Sequence, residues 1–145
     1  MTQPMSEPQT VSNLTAIHTE IIFPNGLVGC PEWRRFMVEA PEDLPGLLLL
    51  RSLDEPGIEF VLAPVLELVP DFFEQLAASD RAALVALGVG RSEQVELWAT
   101  LSVHEDGLVT ANLLGPLVLD FERGCGTQVV LTESGWGTRH PILTR

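Results

Sequence analysis

The chain has 145 residues, 46% of them hydrophobic and 19% charged, with a formal net charge of −12. Length and composition suit one globular domain with a buried core and exclude a disordered chain. All eight basic residues are arginines; without lysine there is no Walker-type phosphate loop and no Schiff-base nucleophile, and the negative field repels phosphate backbones, against direct nucleic-acid binding.

Residues 1–15 are polar, carry Pro4 and Pro8, and have no basic segment leading into an apolar one. A short mobile tail is therefore expected ahead of a single domain over residues 16–145, with no signal peptide. No apolar run approaches the roughly 20 residues of a membrane helix; the longest, 82–90, is closed by Arg81 and Arg91. A cytoplasmic monomer with no membrane partner is the expectation.

Residues 16–23 are β-rich and end in the turn Pro24-Asn25-Gly26. Further strands are expected at 36–39, 47–53 and 58–62, with a short one at 65–69 between Pro64 and Pro70. One short helix is expected at 80–87, capped by Ser79, favoured by Asp80 at its positive end and closed by Gly88. Val95, Leu97, Ala99, Leu101 and Val103 then alternate with Glu96, Trp98, Thr100 and Ser102, the period of a half-buried strand. Asp106-Gly107 is a strong hairpin signal. A strand at 108–114 follows, is interrupted at Gly115-Pro116 and resumes at 117–121. After a turn at 122–126 comes a last strand at 127–132. Many short strands and one helix predict a mostly β fold, a small antiparallel β-barrel.

Candidate chemistry is sparse. His18 and Glu20 share a strand face but lack an evident third metal ligand. Cys30 and Cys125 read as small apolar residues of a reducing compartment, and Cys125 sits in a glycine-flanked turn with only Arg123 to lower its pKa. Gly88-Val89-Gly90 lacks the third glycine of a dinucleotide loop and follows a helix. The pairs Glu42-Asp43 and Asp54-Glu55 each lie beside a proline, as solvated turn residues do. The expectation is a binding protein without catalytic residues, metal or cofactor.

The charge is unevenly placed. Between Glu39 and Asp80 there are ten carboxylates against Arg51 alone, a net −9, while the segment from Arg123 onward is +2. Such a field would steer a basic protein partner, with Asp54, Glu55, Glu67 and Asp71 as candidate contacts. Asn112, disfavoured within a strand, is a further candidate; its amide is expected either to meet a partner or to bond a neighbouring turn. Arg139 is expected to pair with a carboxylate, and Pro141 to stiffen the exit of the last strand.

Several segments resemble one family colinearly from about Ile17 onward. Phe23-Pro24-Asn25-Gly26-Leu27-Val28-Gly29, Ser52-Leu53-Asp54-Glu55-Pro56 and Pro70-Asp71 are similar to its F-P-x-G-L-x-G, S-L-D-D-P and P-D-Y/F patterns. Thr110-Ala111-Asn112-Leu113 with Pro116, Gln128-Val129-Val130-Leu131 and Thr138-Arg139-His140-Pro141 resemble its TANL, QVVL and TRHP segments. The family is that of the bacterial flagellar assembly factor FliW. The chain departs from it at Cys30, usually aromatic, at Trp136 in place of Tyr, and at 63–68, usually richer in Phe. The resemblance implies cytoplasmic binding of flagellin, and binding of the RNA-binding translational repressor CsrA, which relieves repression of flagellin mRNA. The alternative is a small barrel that binds or acts on a metabolite, with the divergent 63–71 segment marking a repurposed pocket.

Overall fold

The computed structural model describes residues 18–142. The expected tail at 1–15, and the start of the first strand at Ala16 and Ile17, lie outside the described residues.

Four strands run as an antiparallel meander: β1 (His18–Ile22), β2 (Arg35–Glu39), β3 (Leu48–Ser52) and β4 (Glu59–Pro64). The helical segment follows, and then the long β5 (Val95–Val103), β6 (Val109–Ala111), β7 (Leu117–Asp120), β8 (Cys125–Gln128) and β9 (His140–Pro141). β4 pairs with β5, β5 with β7, β7 with β8, and β8 returns to β1, so seven strands close into a barrel. The sheet is mixed and not purely antiparallel: β1 and β8 run parallel at Ile22–Cys125. A closed ring in which every neighbour is antiparallel needs an even number of strands, so seven strands force at least one parallel seam. β6 and β9 extend the sheet beyond the barrel, along the far half of β5.

The helical content also exceeds expectation. Residues 65–69 do not form a strand; α1 (Val65–Leu68) makes one turn there, with the Val69 N–H bonded to the Val65 carbonyl. A 3-10 turn (Phe73–Gln75) precedes α2 (Ala78–Ala86). α2 begins before the expected 80–87 span, and Ser79 does not cap it: Ala77 holds the cap position and makes no side-chain cap bond. The Ala77 N–H instead donates to Ser134 Oγ at 2.9 Å. Gly88 closes the helix at φ +101°, as expected.

Two apolar cores share β5 and β7. Inside the barrel, Ile21, Phe23, Phe36, Val38, Leu50, Leu62, Trp98, Leu117 and Leu119 pack together. Outside it, Leu97, Ala99 and Val118 meet Val65, Phe72, Leu76, Leu84 and Val89 of the helical segment, with Leu113 and Leu131. Successive side chains of a strand point to opposite faces, so β5 and β7 are buried on both. Trp98, whose place in the alternation suggested a solvent-facing side, is therefore buried. Gly126 of β8 completes the inner core: a Cβ there would lie 2.4 to 2.7 Å from the Phe23 ring.

Strand ends shift elsewhere. β6 stops at Ala111, well short of 114, because the chain turns out at 112–116 before re-entering as β7. β8 begins at Cys125, so this cysteine is a half-buried strand residue and not a turn tip.

Candidate partner-binding surface

The carboxylates between Glu39 and Asp80 divide into those held by the fold and those left to solvent. Asp54, at the β3–β4 turn, accepts the backbone N–H groups of Arg34 and Arg35, each at 2.8 Å, and the Arg35 Nε–H at 3.3 Å. The Arg35 amide, then the Arg34 amide, hold its carboxyl below the usual 3.8. Asp54 thus ties the start of β2 to the β3–β4 turn. Ser52 Oγ, buried beside it, accepts the N–H groups of Asp54 and Glu55. Glu39 is ion-paired with Arg51. Asp80 is buried, and its Oδ2 accepts the Glu133 N–H and the Ser134 hydroxyl, pinning the 133–134 loop to the start of α2.

Glu55, Glu67 and Asp71 are exposed. Asp71 accepts a bond from Gln75 Nε2 at 2.7 Å, a local contact on the surface. The candidate acids do not form one patch. Asp54 and Glu55 precede β4 and Glu67 and Asp71 follow it, so the six residues of β4 set the two groups about 20 Å apart at roughly 3.3 Å per residue.

The α1 end combines charge with apolar surface. Leu66 is 45% exposed and lines a cleft with Pro64, Phe73, Val89, Val95 and Leu97. On the other side of α1, Glu67 and Leu68 face His140, Pro141 and Ile142 across a groove of about 440 Å³. The groove is braced by an aromatic stack: Phe72 lies on Trp136 at 5.2 Å, and Trp136 meets His140 edge-on at 5.6 Å. The 138–142 segment is built into the fold, since β9 pairs with β6 and the Ile142 N–H donates to the Val109 carbonyl.

Asn112 lies just beyond β6 and not inside a strand. Its Oδ1 accepts the Gly115 N–H at 2.9 Å, so the side chain closes the turn that separates β6 from β7. Gln128 secures the same turn, donating to the Gly115 carbonyl at 2.9 Å and accepting the Val28 N–H at 2.7 Å. Arg139 does not meet the carboxylate expected for it: its Nη2 donates to His104 Nδ1 at 3.2 Å. An accepting Nδ1 leaves the ring proton on Nε2, which donates to Thr110 Oγ1 at 2.8 Å. His104 is therefore a bridge between the β5–β6 hairpin and the chain before β9, where a solvated turn residue was expected.

Among the described residues no three His, Cys, Asp or Glu side chains converge as a metal site, and no helix is long and apolar enough to cross a membrane. His18 lies instead 3.8 Å from Glu39. The structural roles of Gln128 and Asp80 carried no sequence signal, because their partners are distant in the chain.

The chain is similar to known proteins along most of its length. It is 30% identical over 124 residues to flagellar assembly factor FliW 2 of Desulfotalea psychrophila, covering 86% of this chain and 80% of that one. It is 35% identical over 123 residues to flagellar assembly factor FliW of Geotalea uraniireducens, covering 85% and 74% respectively. A crystal structure of the flagellar assembly factor FliW superposes with a TM-score of 0.71 at 26% identity, over 87% of this chain and 86% of that one. The family model described as FliW protein matches residues 7–142. The chain therefore belongs to the FliW family, whose members are assembly factors and not enzymes.

Proposed function

We propose that this protein is a cytoplasmic flagellar assembly factor that binds flagellin and, in exchange for it, the translational repressor CsrA. The observation that carries the reading is the family match over residues 7–142, together with relatives named as flagellar assembly factors at 30 to 35% identity. The surface chemistry supports it. A chain of net −12, with exposed Leu66, Glu67 and Asp71 around α1, suits a basic partner with apolar anchors. CsrA held by such a protein need not be covered at its RNA-binding face. A strongly acidic neighbour lowers RNA affinity by like-charge repulsion.

The test is calorimetry of the purified chain with flagellin and with CsrA from the same organism, followed by competition. Saturable binding of each, with flagellin displacing CsrA, is the expected result. Absence of binding to both overturns the reading. No metal or cofactor is part of it, and binding is expected to persist in chelator.

A further inference from the structure

The mouth of the barrel holds a cavity of about 270 Å³. Its walls are Ala40, Leu47, Leu48 and Phe121, with Trp98 at its base and Glu96 at its rim. Glu96 and Trp98 are two apart on β5 and share its inner face. Trp98 is 9% exposed, and its indole Nε1–H donates to Glu96 Oε1 at 2.9 Å. That bond fixes both groups and leaves the second carboxylate oxygen of the exposed Glu96 without a hydrogen bond among the described residues. Among the described residues no cation lines the cavity. The loop that supplies Ala40, Gly46 and Leu47 also carries Glu42 and Asp43, both exposed, and exposed Glu93 precedes lining residue Gln94.

We infer that this cavity receives one arginine side chain from a basic partner protein. Its apolar walls match the three-carbon stem, which packs well against hydrophobic surface while its charged head stays at a polar rim. The head would meet the free oxygen of Glu96 in a charge-assisted hydrogen bond. Glu42, Asp43 and Glu93, exposed on the segments that supply lining residues, add negative charge that disfavours an acidic side chain. A plain apolar anchor would fill the walls but leave Glu96 facing it, and this selects for a cation. The inference deepens the proposed function by naming the chemistry of one contact, and it rests on that reading only for the identity of the partner.

The test uses the full chain and two blocked tripeptides, acetyl-Gly-Arg-Gly-amide and its uncharged citrulline analogue. The readout is the Trp98 indole N–H resonance. The arginine peptide is expected to shift that resonance saturably, and the citrulline peptide to bind about tenfold or more weakly. Glu96→Gln keeps an acceptor for Trp98 and removes the charge, so it should weaken the arginine peptide to the citrulline level. Ala40→Leu fills the cavity from its wall and should abolish the shift in a protein that melts normally. Equal binding of both peptides, an unmoved Trp98 resonance, or full binding by Glu96→Gln overturns the inference. Flagellin and CsrA binding by Glu96→Gln, measured beside the wild type, separates the two readings. Normal partner binding with no peptide response removes the pocket alone, whereas wild-type protein that binds neither partner removes the proposed function.

Discussion

Two kinds of carboxylate occupy the acidic half of this chain, and they serve different ends. Asp80, Asp54 and Glu39 are engaged by a loop hydroxyl and amide, by the amides of Arg34 and Arg35, and by Arg51. Glu55, Glu67 and Asp71 stand in solvent. A count of charge along the sequence treats them alike, yet the first group contributes to folding and only the second is free to steer a partner. Substitutions in each group should therefore move different observables, and the comparison fails wherever they do not.

The largest effect belongs to Asp80. Asp80→Ala leaves the Glu133 N–H and the Ser134 hydroxyl, in a part-buried setting, without their charged acceptor. The cost is expected to be about 2–3 kcal/mol of unfolding free energy, read from urea denaturation, with the rate of partner association unchanged. Wild-type stability in this variant would place Asp80 with the free group.

Asp54 should come next, with a pH signature. Its folded pKa is lowered from 3.8, first by the Arg35 amide and then by the Arg34 amide. A lowered folded value means that the ionised form favours the fold. The contribution is complete above 3.8, the ordinary value, and is lost as pH falls below it through the lowered folded value. Asp54→Ala should lower Tm at neutral pH, and its gap from wild type should narrow as pH falls below 3.8 and close once the lowered folded value is passed. A gap that does not depend on pH would point to the geometry of the turn and not to the carboxylate.

Asn112→Ala should cost about 1 kcal/mol, since it removes the acceptor for the Gly115 N–H. Retained partner binding with a lowered Tm fits the turn-closing role seen here. A normal Tm with lost binding would move Asn112 to the partner surface.

What was legible in the sequence follows the range of the interactions involved. The β5 boundaries could be read from alternation alone, and its hairpin from Asp106-Gly107, because both signals are local. α1 could not be read: the five residues between Pro64 and Pro70 carry no periodicity, and tertiary packing of Val65 into the outer core decides their shape. Trp98 was misjudged because alternation marks one face as solvent, while a barrel wall covered by helices buries both. The parallel β1–β8 seam joins residues at opposite ends of the domain, and it follows from strand number, which only the closed ring reveals. The candidate acids were found by composition, but their division into held and free depends on partners such as Ser134, 54 positions from Asp80.

The smallest effect on stability is expected from the free group, and there the signal is kinetic. Exposed charge pairs contribute less than about 1 kcal/mol each, so Glu55→Lys and the pair Glu67→Lys with Asp71→Lys should leave Tm within error. Their influence should appear as slower association with flagellin or CsrA and a shallower dependence on salt. Because β4 separates the two sites, the two variants report on opposite ends of the barrel. The α1 end also offers Leu66 as an apolar anchor, so Glu67→Lys with Asp71→Lys should slow association more than Glu55→Lys, measured at low and at physiological salt. A larger effect of Glu55→Lys would shift the docking surface to the β3–β4 turn. Unchanged rates in both variants would leave the free carboxylates as a solubility device and direct the search to the barrel mouth around Glu96.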